Sequence, residues 1–380
     1  MLYHIFSSLQ SQWGVLRVFN YLTFRAAGAA ITALLIAWLV GPHILRRLRA
    51  IKMTQPLREG TPESHQEKKR TPTMGGLIIL ASIFGSSLLW ARLNNRYVLI
   101  ALFVTAWMGG IGFMDDWLKI RQKREGKKSE GLVEKYKLVG QTSLGLVLGV
   151  YLMYFPLSTL PAVSTTLPFF KYVLIVPATA ALAWLYIPWV TVVLTGASNA
   201  VNLTDGLDGL ATGLSAIAAA TFAIFAYLFG RYDFAEYLNV FYLRGAGELT
   251  VVCTAVFGAT VGFLWFNCWP AEVFMGDTGS LALGGAFGSV AILLKSEFLL
   301  LIIGAMFVAE TISVLTQRYV FKYRKRRYGL EYAQKNRVLK RAPLHHHYEE
   351  AGWSETQVVV RFWIIGILCA FVAIATLKLR

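Results

Sequence analysis

Residues 97–119 read YVLIALFVTAWMGGIGFMDDWLK, from Tyr97 to Lys119. Eighteen positions, 97–114, carry no formal charge, and they end abruptly in Asp115, Asp116 and, three residues on, Lys119. As a helix rising about 1.5 Å per residue, such a run is roughly 27 Å long, close to the hydrocarbon thickness of a bilayer. Its charged end then falls at the membrane–water boundary. The stretch therefore predicts a membrane-spanning helix that delivers a pair of carboxylates to one membrane face.

The same reading extends along the chain. Apolar stretches of spanning length fall near 24–43, 74–93, 97–114, 138–155, 170–194, 209–230, 249–268, 281–295, 298–321 and 359–377. Composition agrees: 56% of the 380 residues are hydrophobic, 15% are charged, and the mean hydropathy is +0.52. A water-soluble protein of this size has nowhere to hide that much apolar surface. No alternating pattern of an outer-membrane barrel is present, so the backbone must satisfy itself within helices. The expectation is an all-α, polytopic membrane protein of about ten transmembrane helices, forming one domain over 1–380. The first apolar run leads into Gly41, Pro42 and several arginines, which fits a retained helix better than a cleaved signal. Cys253, Cys268 and Cys369 match no zinc spacing and no disulfide framework.

The formal net charge of +16 is concentrated. Segments 44–73, 117–137 and 322–357 hold 8, 8 and 9 of the 37 Lys and Arg residues. The positive-inside rule accounts for this without nucleic acid. It puts these segments in the cytoplasm together with the connections 195–208 and 268–280, and both termini outside. Each acidic cluster then falls on the cytoplasmic face, and ionisable groups at membrane-helix ends are functional pointers by default.

Asp115 and Asp116 resist joint ionisation unless a cation compensates, and a hard divalent ion is the natural one. Asp205 and Asp208 lie in NAVNLTDGLDGL, residues 199–210. Their spacing of three puts them on one face if the segment is helical; a helix start capped by Thr204 or Asp205 reads equally well. Asn199 and Asn202 repeat the spacing with amides suited to sugar or base edges. In Gly276-Asp277-Thr278-Gly279-Ser280 a loop enters a helix, where backbone N–H groups suit a phosphate and Asp277 could hold a bridging metal. Asn267 and Phe274, just upstream, offer a hydrogen-bonding group and a stacking surface. His345, His346 and His347 follow Pro343; consecutive helical residues lie about 100° apart, so the three cannot share one metal ion.

Together these motifs resemble the polyprenyl-phosphate N-acetylhexosamine-1-phosphate transferase family, from about Thr71 to Trp363. The pieces are TPTMGG (71–76), DDWLK (115–119), NAVNLTDGLDGL (199–210), FMGDTGS (274–280) and APLHHHYE (342–349). Two departures stand out: Arg70 occupies a position where the family usually has glycine, and the loop after Lys119 is several residues longer. The resemblance implies Asp277 as Mg²⁺ ligand, Asp115 and Asp116 as the paired catalytic aspartates, and Lys119 and Lys123 as their basic neighbours, with Lys137 as a counterpart beyond the longer loop. It implies that Asn199, Asn202, Asp205, Gly206, Leu207, Asp208, Asn267 and Phe274 line the nucleoside-sugar site, with Lys68 and Thr73 on the segment that approaches it.

The three histidines before Tyr348 and Glu349 point, by the same resemblance, to UDP-N-acetylmuramoyl-pentapeptide as donor and undecaprenyl phosphate as acceptor, with His345, His346 and His347 acting at the reacting groups. The implied products are lipid I and UMP, formed at the cytoplasmic face of a bacterial inner membrane in the first membrane step of peptidoglycan synthesis. A homodimer is an open assembly. The competing readings are a sister transferase using UDP-N-acetylglucosamine, and a secondary transporter. A transporter would place its charges near the bilayer midplane, not at helix ends on one side.

Overall fold

A helix built from GDTGSLALGGAFGSVAIL, Gly276–Leu293, runs through the middle of the computed structural model, and all of its residues are buried. The structure describes residues 1–11, 13–51, 71–125, 131–170 and 172–378. Lys68 lies outside the described residues. The main helices, in order, are α1 (Leu22–Ala50), α2 (Gly76–Trp90), α3 (Arg96–Arg124), α4 (Glu134–Tyr154), α5 (Tyr186–Thr204), α6 (Leu210–Phe229), α7 (Leu249–Asn267), α8 (Gly276–Leu293), α9 (Glu297–Ile303), α10 (Ala305–Tyr328), α11 (Leu344–Glu350) and α12 (Glu355–Ala375). The central helix α8 packs against α3 and α5, with α2 and α6 also in contact. Its small residues permit this closeness, as they do wherever helices meet in lipid. A Cβ on Gly112 of α3 would sit 2.1 Å from the Asp277 carbonyl oxygen, and one on Gly76 of α2 2.1 Å from the Gly279 nitrogen.

The protein is an all-α polytopic membrane protein. Among the described residues, six helical stretches are long and apolar enough to cross a bilayer, or seven if α9 and α10 count as one span bent by 86°. The helix α2 is a shorter apolar helix. Each of the ten expected segments carries one of these helices, with two changes of outline. Residues 170–194 begin as a short antiparallel hairpin, pairing Thr165–Thr166 with Leu174–Ile175, and become continuously helical at Tyr186. Segment 298–321 is broken at Gly304, between α9 and α10. Helices also run into the segments expected as polar connections: α5 continues to Thr204, α8 starts at Gly276, and 322–357 holds the end of α10 as well as all of α11. Charge marks where a chain meets water, not where its helix stops.

Successive long helices bring alternate ends to the same side. Arg49 at the end of α1 pairs with Glu272 after α7 (3.0 Å), Gly75 before α2 donates to the Phe274 carbonyl (2.8 Å), and Asp208 after α5 meets Glu355 at the start of α12 (2.9 Å). The polar motifs of the sequence thus gather at one end of the bundle.

Candidate active site

The start of α8 is a left-handed turn. Gly276 has φ +71°, and a Cβ there would lie 2.7 Å from Asp116 Oδ2 and 2.8 Å from Thr73 Oγ1. Only glycine fits both the backbone angle and the space. Immediately after it, Asp116 reaches across from α3. It accepts hydrogen bonds from the Asp277 N–H (3.2 Å), the Thr278 N–H (2.9 Å) and the Thr278 hydroxyl (2.7 Å). Asp116 therefore caps α8 from a neighbouring helix, satisfying donors that the helix start cannot pair itself. The N–H groups expected to receive a phosphate are taken by this carboxylate.

Asp115 and Asp277 are arranged differently. Asp115 Oδ1 accepts from the Leu132 N–H (2.9 Å), and Oδ2 lies 2.5 Å from Lys119 Nζ and 3.3 Å from Lys137 Nζ. Asp277 Oδ1 accepts from Asn202 Nδ2 (3.0 Å) and lies 3.5 Å from Lys119 Nζ; its Oδ2 contacts Lys137 Nζ. Asp115, Asp116 and Asp277 can each offer an oxygen within 4.8 Å of the other two, and this is the only such group of potential ligands among the described residues. Oxygen-only donors at this spacing fit a hard divalent cation, and burying three acids together needs either such an ion or the two lysines.

The structure brings Lys137, from the start of α4, into the cluster beside Lys119. Lys123 lies one turn beyond Lys119 and is exposed. Asn202 also donates to Ser280 Oγ (2.8 Å), tying α5 to α8. Asn199 turns away from the cluster: its amide donates to Gln141 Oε1 on α4 and to the Thr195 carbonyl, both at 2.8 Å. Gln141, Ser280 and Thr278 carry no motif signal of their own; only the packing of α8 against its neighbours reveals them.

The segment 205–209 is a break between α5 and α6. Asp205 is the C-terminal cap residue of α5, and the residue that precedes α6 is Gly209, at φ +79°. Neither the shared helical face expected for Asp205 and Asp208 nor a cap by Thr204 or Asp205 is present, because the chain turns before a new helix can form. Half-buried Asp205 is pushed up to about 8 by that burial and then by the charges of Asp277 and Asp116, although the Gly276 N–H donates to it. Asp208 Oδ2 accepts from the Ala271 N–H (3.0 Å), and Leu207 is 4% exposed, in the core. Asn267 is buried; it accepts from the Thr212 hydroxyl (2.6 Å) and donates to the Val273 carbonyl (3.0 Å), shaping the loop that carries half-buried Phe274.

The histidines diverge, as consecutive helical residues must. Pro343 is the N-cap of α11, and Glu310, buried on α10, accepts the Leu344 and His345 N–H groups (2.7 and 3.1 Å). His345 is buried, with Nδ1 3.2 Å from Glu310 Oε1, and its ring covers Gly206, where a Cβ would lie 2.2 Å from Nε2. His346 pairs with Glu349 at 2.7 Å, and burial lowers its pKa despite that carboxylate. His347 Nδ1 accepts from the Lys340 N–H (3.1 Å). Of the three rings, His345 is the one seated on the 205–208 turn.

Residues 98–295 match the model of glycosyl transferase family 4. Over 380 residues, and all of both chains, the sequence is 68% identical to the phospho-N-acetylmuramoyl-pentapeptide-transferase of Gemmatimonas aurantiaca. It is 47% identical, again over the whole of both chains, to the proteins of that name from Chloroherpeton thalassium and Citrifermentans bemidjiense. With a full-length match at this identity, and a buried carboxylate–lysine cluster built from the motifs of such transferases, the chain belongs to glycosyl transferase family 4 and, within it, to the phospho-N-acetylmuramoyl-pentapeptide-transferases.

Proposed function

We propose that this transferase moves phospho-N-acetylmuramoyl-pentapeptide from UDP-N-acetylmuramoyl-pentapeptide to undecaprenyl phosphate, giving lipid I and UMP, at the cytoplasmic face of the bacterial inner membrane. The observation that carries the reading is the placement of Asp115, Asp277, Lys119 and Lys137 together at helix ends on one side of a membrane-spanning bundle. A soluble nucleotide and a lipid phosphate can meet only at such a boundary.

In the reaction an oxygen of the acceptor phosphate attacks the β-phosphorus of the donor, and the bond to UMP breaks. Transfer of this kind depends on alignment and on neutralising charge. Lys119 and Lys137 are positioned to meet phosphate oxygens. Asp115 is the carboxylate best placed to take a proton from the acceptor phosphate, because both oxygens of Asp116 are engaged at the start of α8. Asn202 holds Asp277 in place. Mg²⁺ would be held by Asp277 with Asp115 and would supply neutralisation of the diphosphate. Asp205, Gly206, Leu207, Asp208, Asn267 and Phe274 form the wall proposed to face the nucleoside sugar, with His345 behind it.

The test is to incubate purified protein with undecaprenyl phosphate and each of two donors, UDP-N-acetylmuramoyl-pentapeptide and UDP-N-acetylglucosamine, and to weigh the lipid product. Only the first donor should yield a lipid-linked sugar. EDTA should abolish turnover and excess Mg²⁺ restore it; turnover that survives thorough chelation would remove the metal from this account.

A further inference from the structure

A cavity of about 600 Å³ opens beside the 205–208 turn, between α11 and the start of α12, lined among others by Trp269, Arg341, His346, Glu350, Trp353 and Glu355. That volume is in the range of a ligand site. Its charge runs against its surroundings. The chain is strongly basic, and segment 322–357 alone holds nine Lys and Arg, yet Glu349, Glu350 and Glu355 all line this cavity. Arg341 Nη1 is 3.9 Å from Glu350 Oε1, and the Lys340 ammonium binds the Glu350 backbone carbonyl (3.0 Å), not its carboxylate. These glutamates do not form a metal cluster, because among the described residues only Asp115, Asp116 and Asp277 converge closely enough. Carboxylates spread around a wide pocket suit a longer organic cation, and two tryptophans add ring faces for its charge and its methylenes. The cavity also adjoins the reaction site: Glu355 Oε1 accepts the Asp208 N–H (2.9 Å), and His346 lies next to His345 on α11.

We infer that this cavity receives the peptide of the donor, and that its glutamates recognise an ammonium group on a peptide side chain. The inference rests on the donor proposed above. A diphosphate bound near three glutamates is opposed by them unless the ligand carries its own positive charge, and a peptide amine supplies it. The peptide then enters along α11 and the start of α12, away from the lysines that meet the phosphates, so each charge on the donor faces its opposite.

The experiment compares two donors on the purified full-length protein: UDP-N-acetylmuramoyl-pentapeptide with lysine as third residue, and the same molecule acetylated on that lysine's ε-amine. Acetylation should raise KM about tenfold and leave kcat within about twofold, because a charge contact is lost far from the reacting phosphorus. In Glu350→Gln the ratio between donors should shrink to about threefold, and in Glu350→Lys the acetylated donor should become the better one. Equal kcat/KM for the two donors in the unmutated protein would overturn the subsite while leaving the transfer reaction standing. Absence of lipid product from either donor would overturn both.

Discussion

The two ends of the bundle both bury ion pairs, and they do so in opposite ways. At the end remote from the site, Arg25 makes a bidentate pair with Glu248, both bonds 2.7 Å, and Arg92 Nε sits 3.2 Å from the same carboxylate. The Tyr3 ring lies against both guanidiniums, at 4.9 and 4.3 Å. Here one acid is held by two planar cations and a ring, a geometry that fastens α1 to α7. At the site end, acids crowd against acids, and the compensating charges are lysine ammoniums reaching in from α3 and α4. A compact point charge on a flexible stem can be redirected to an incoming phosphate; a bidentate guanidinium pair has no such freedom. Burial and charge alone do not separate a brace from a reactive site. The crowding of like charges does.

The sharpest way to break this contrast is a pair of near-isosteric substitutions. Asp277→Asn should cut turnover by at least a thousandfold with little change in thermal midpoint. Glu248→Gln should do the reverse, losing about 3–5 kcal/mol of stability because Arg25 keeps a buried charge without its partner, while the folded fraction keeps its kcat. Full activity in Asp277→Asn would mean that the crowded acids are another brace.

Within the site end the comparison narrows to adjacent residues. Asp115→Asn should reduce kcat by about a hundredfold or more and leave the melting profile unchanged. Asp116→Ala should cost about 1–2 kcal/mol as a lost helix cap in addition to any loss of rate. Equal melting profiles for the two variants would refute the capping role read from Asp116.

The smallest expected effect concerns Asp205. Its folded-state pKa of about 8 lies above the roughly 3.9 of an unfolded chain, so the folded protein keeps a proton that the unfolded chain gives up. Without ligand or metal, stability should therefore fall as pH rises from about 4 and stop falling above about 8. Asp205→Asn should flatten that part of the profile, measured as thermal midpoint against pH in detergent. An unchanged slope would show that Asp205 ionises normally.

Much of this architecture was readable from the chain because bilayer thickness and charge act on single segments. Residues 97–119 give both a membrane span and its reactive end without reference to any other segment. What stayed hidden depends on contacts between helices. Asp115 and Asp116 look alike in sequence, and their division of labour appears only when α8 is brought against α3. The LTDGLDGL run reads as a helix start, but the chain turns at 205–209 and α5 ends there. Three consecutive histidines look like one functional unit, whereas α11 sends them to Glu310, Glu349 and the Lys340 backbone. Lys137 comes from beyond a loop whose length obscures its alignment, and it lands in the cluster because α4 begins beside Asp277.

The complete burial of α8 has a consequence for how the protein is made. A helix that ends up touching no lipid must still enter the bilayer during synthesis, and α8 is rich in glycine, alanine and serine. It is absent from the helices long and apolar enough to cross unaided, whereas α12 is among them. Retention of α8 then depends on partners that cover its polar backbone and small side chains. Four helices that pack on it, α2, α3, α5 and α6, precede it in the chain. A ribosome working from the N-terminus therefore builds the socket before it supplies the helix that carries Asp277.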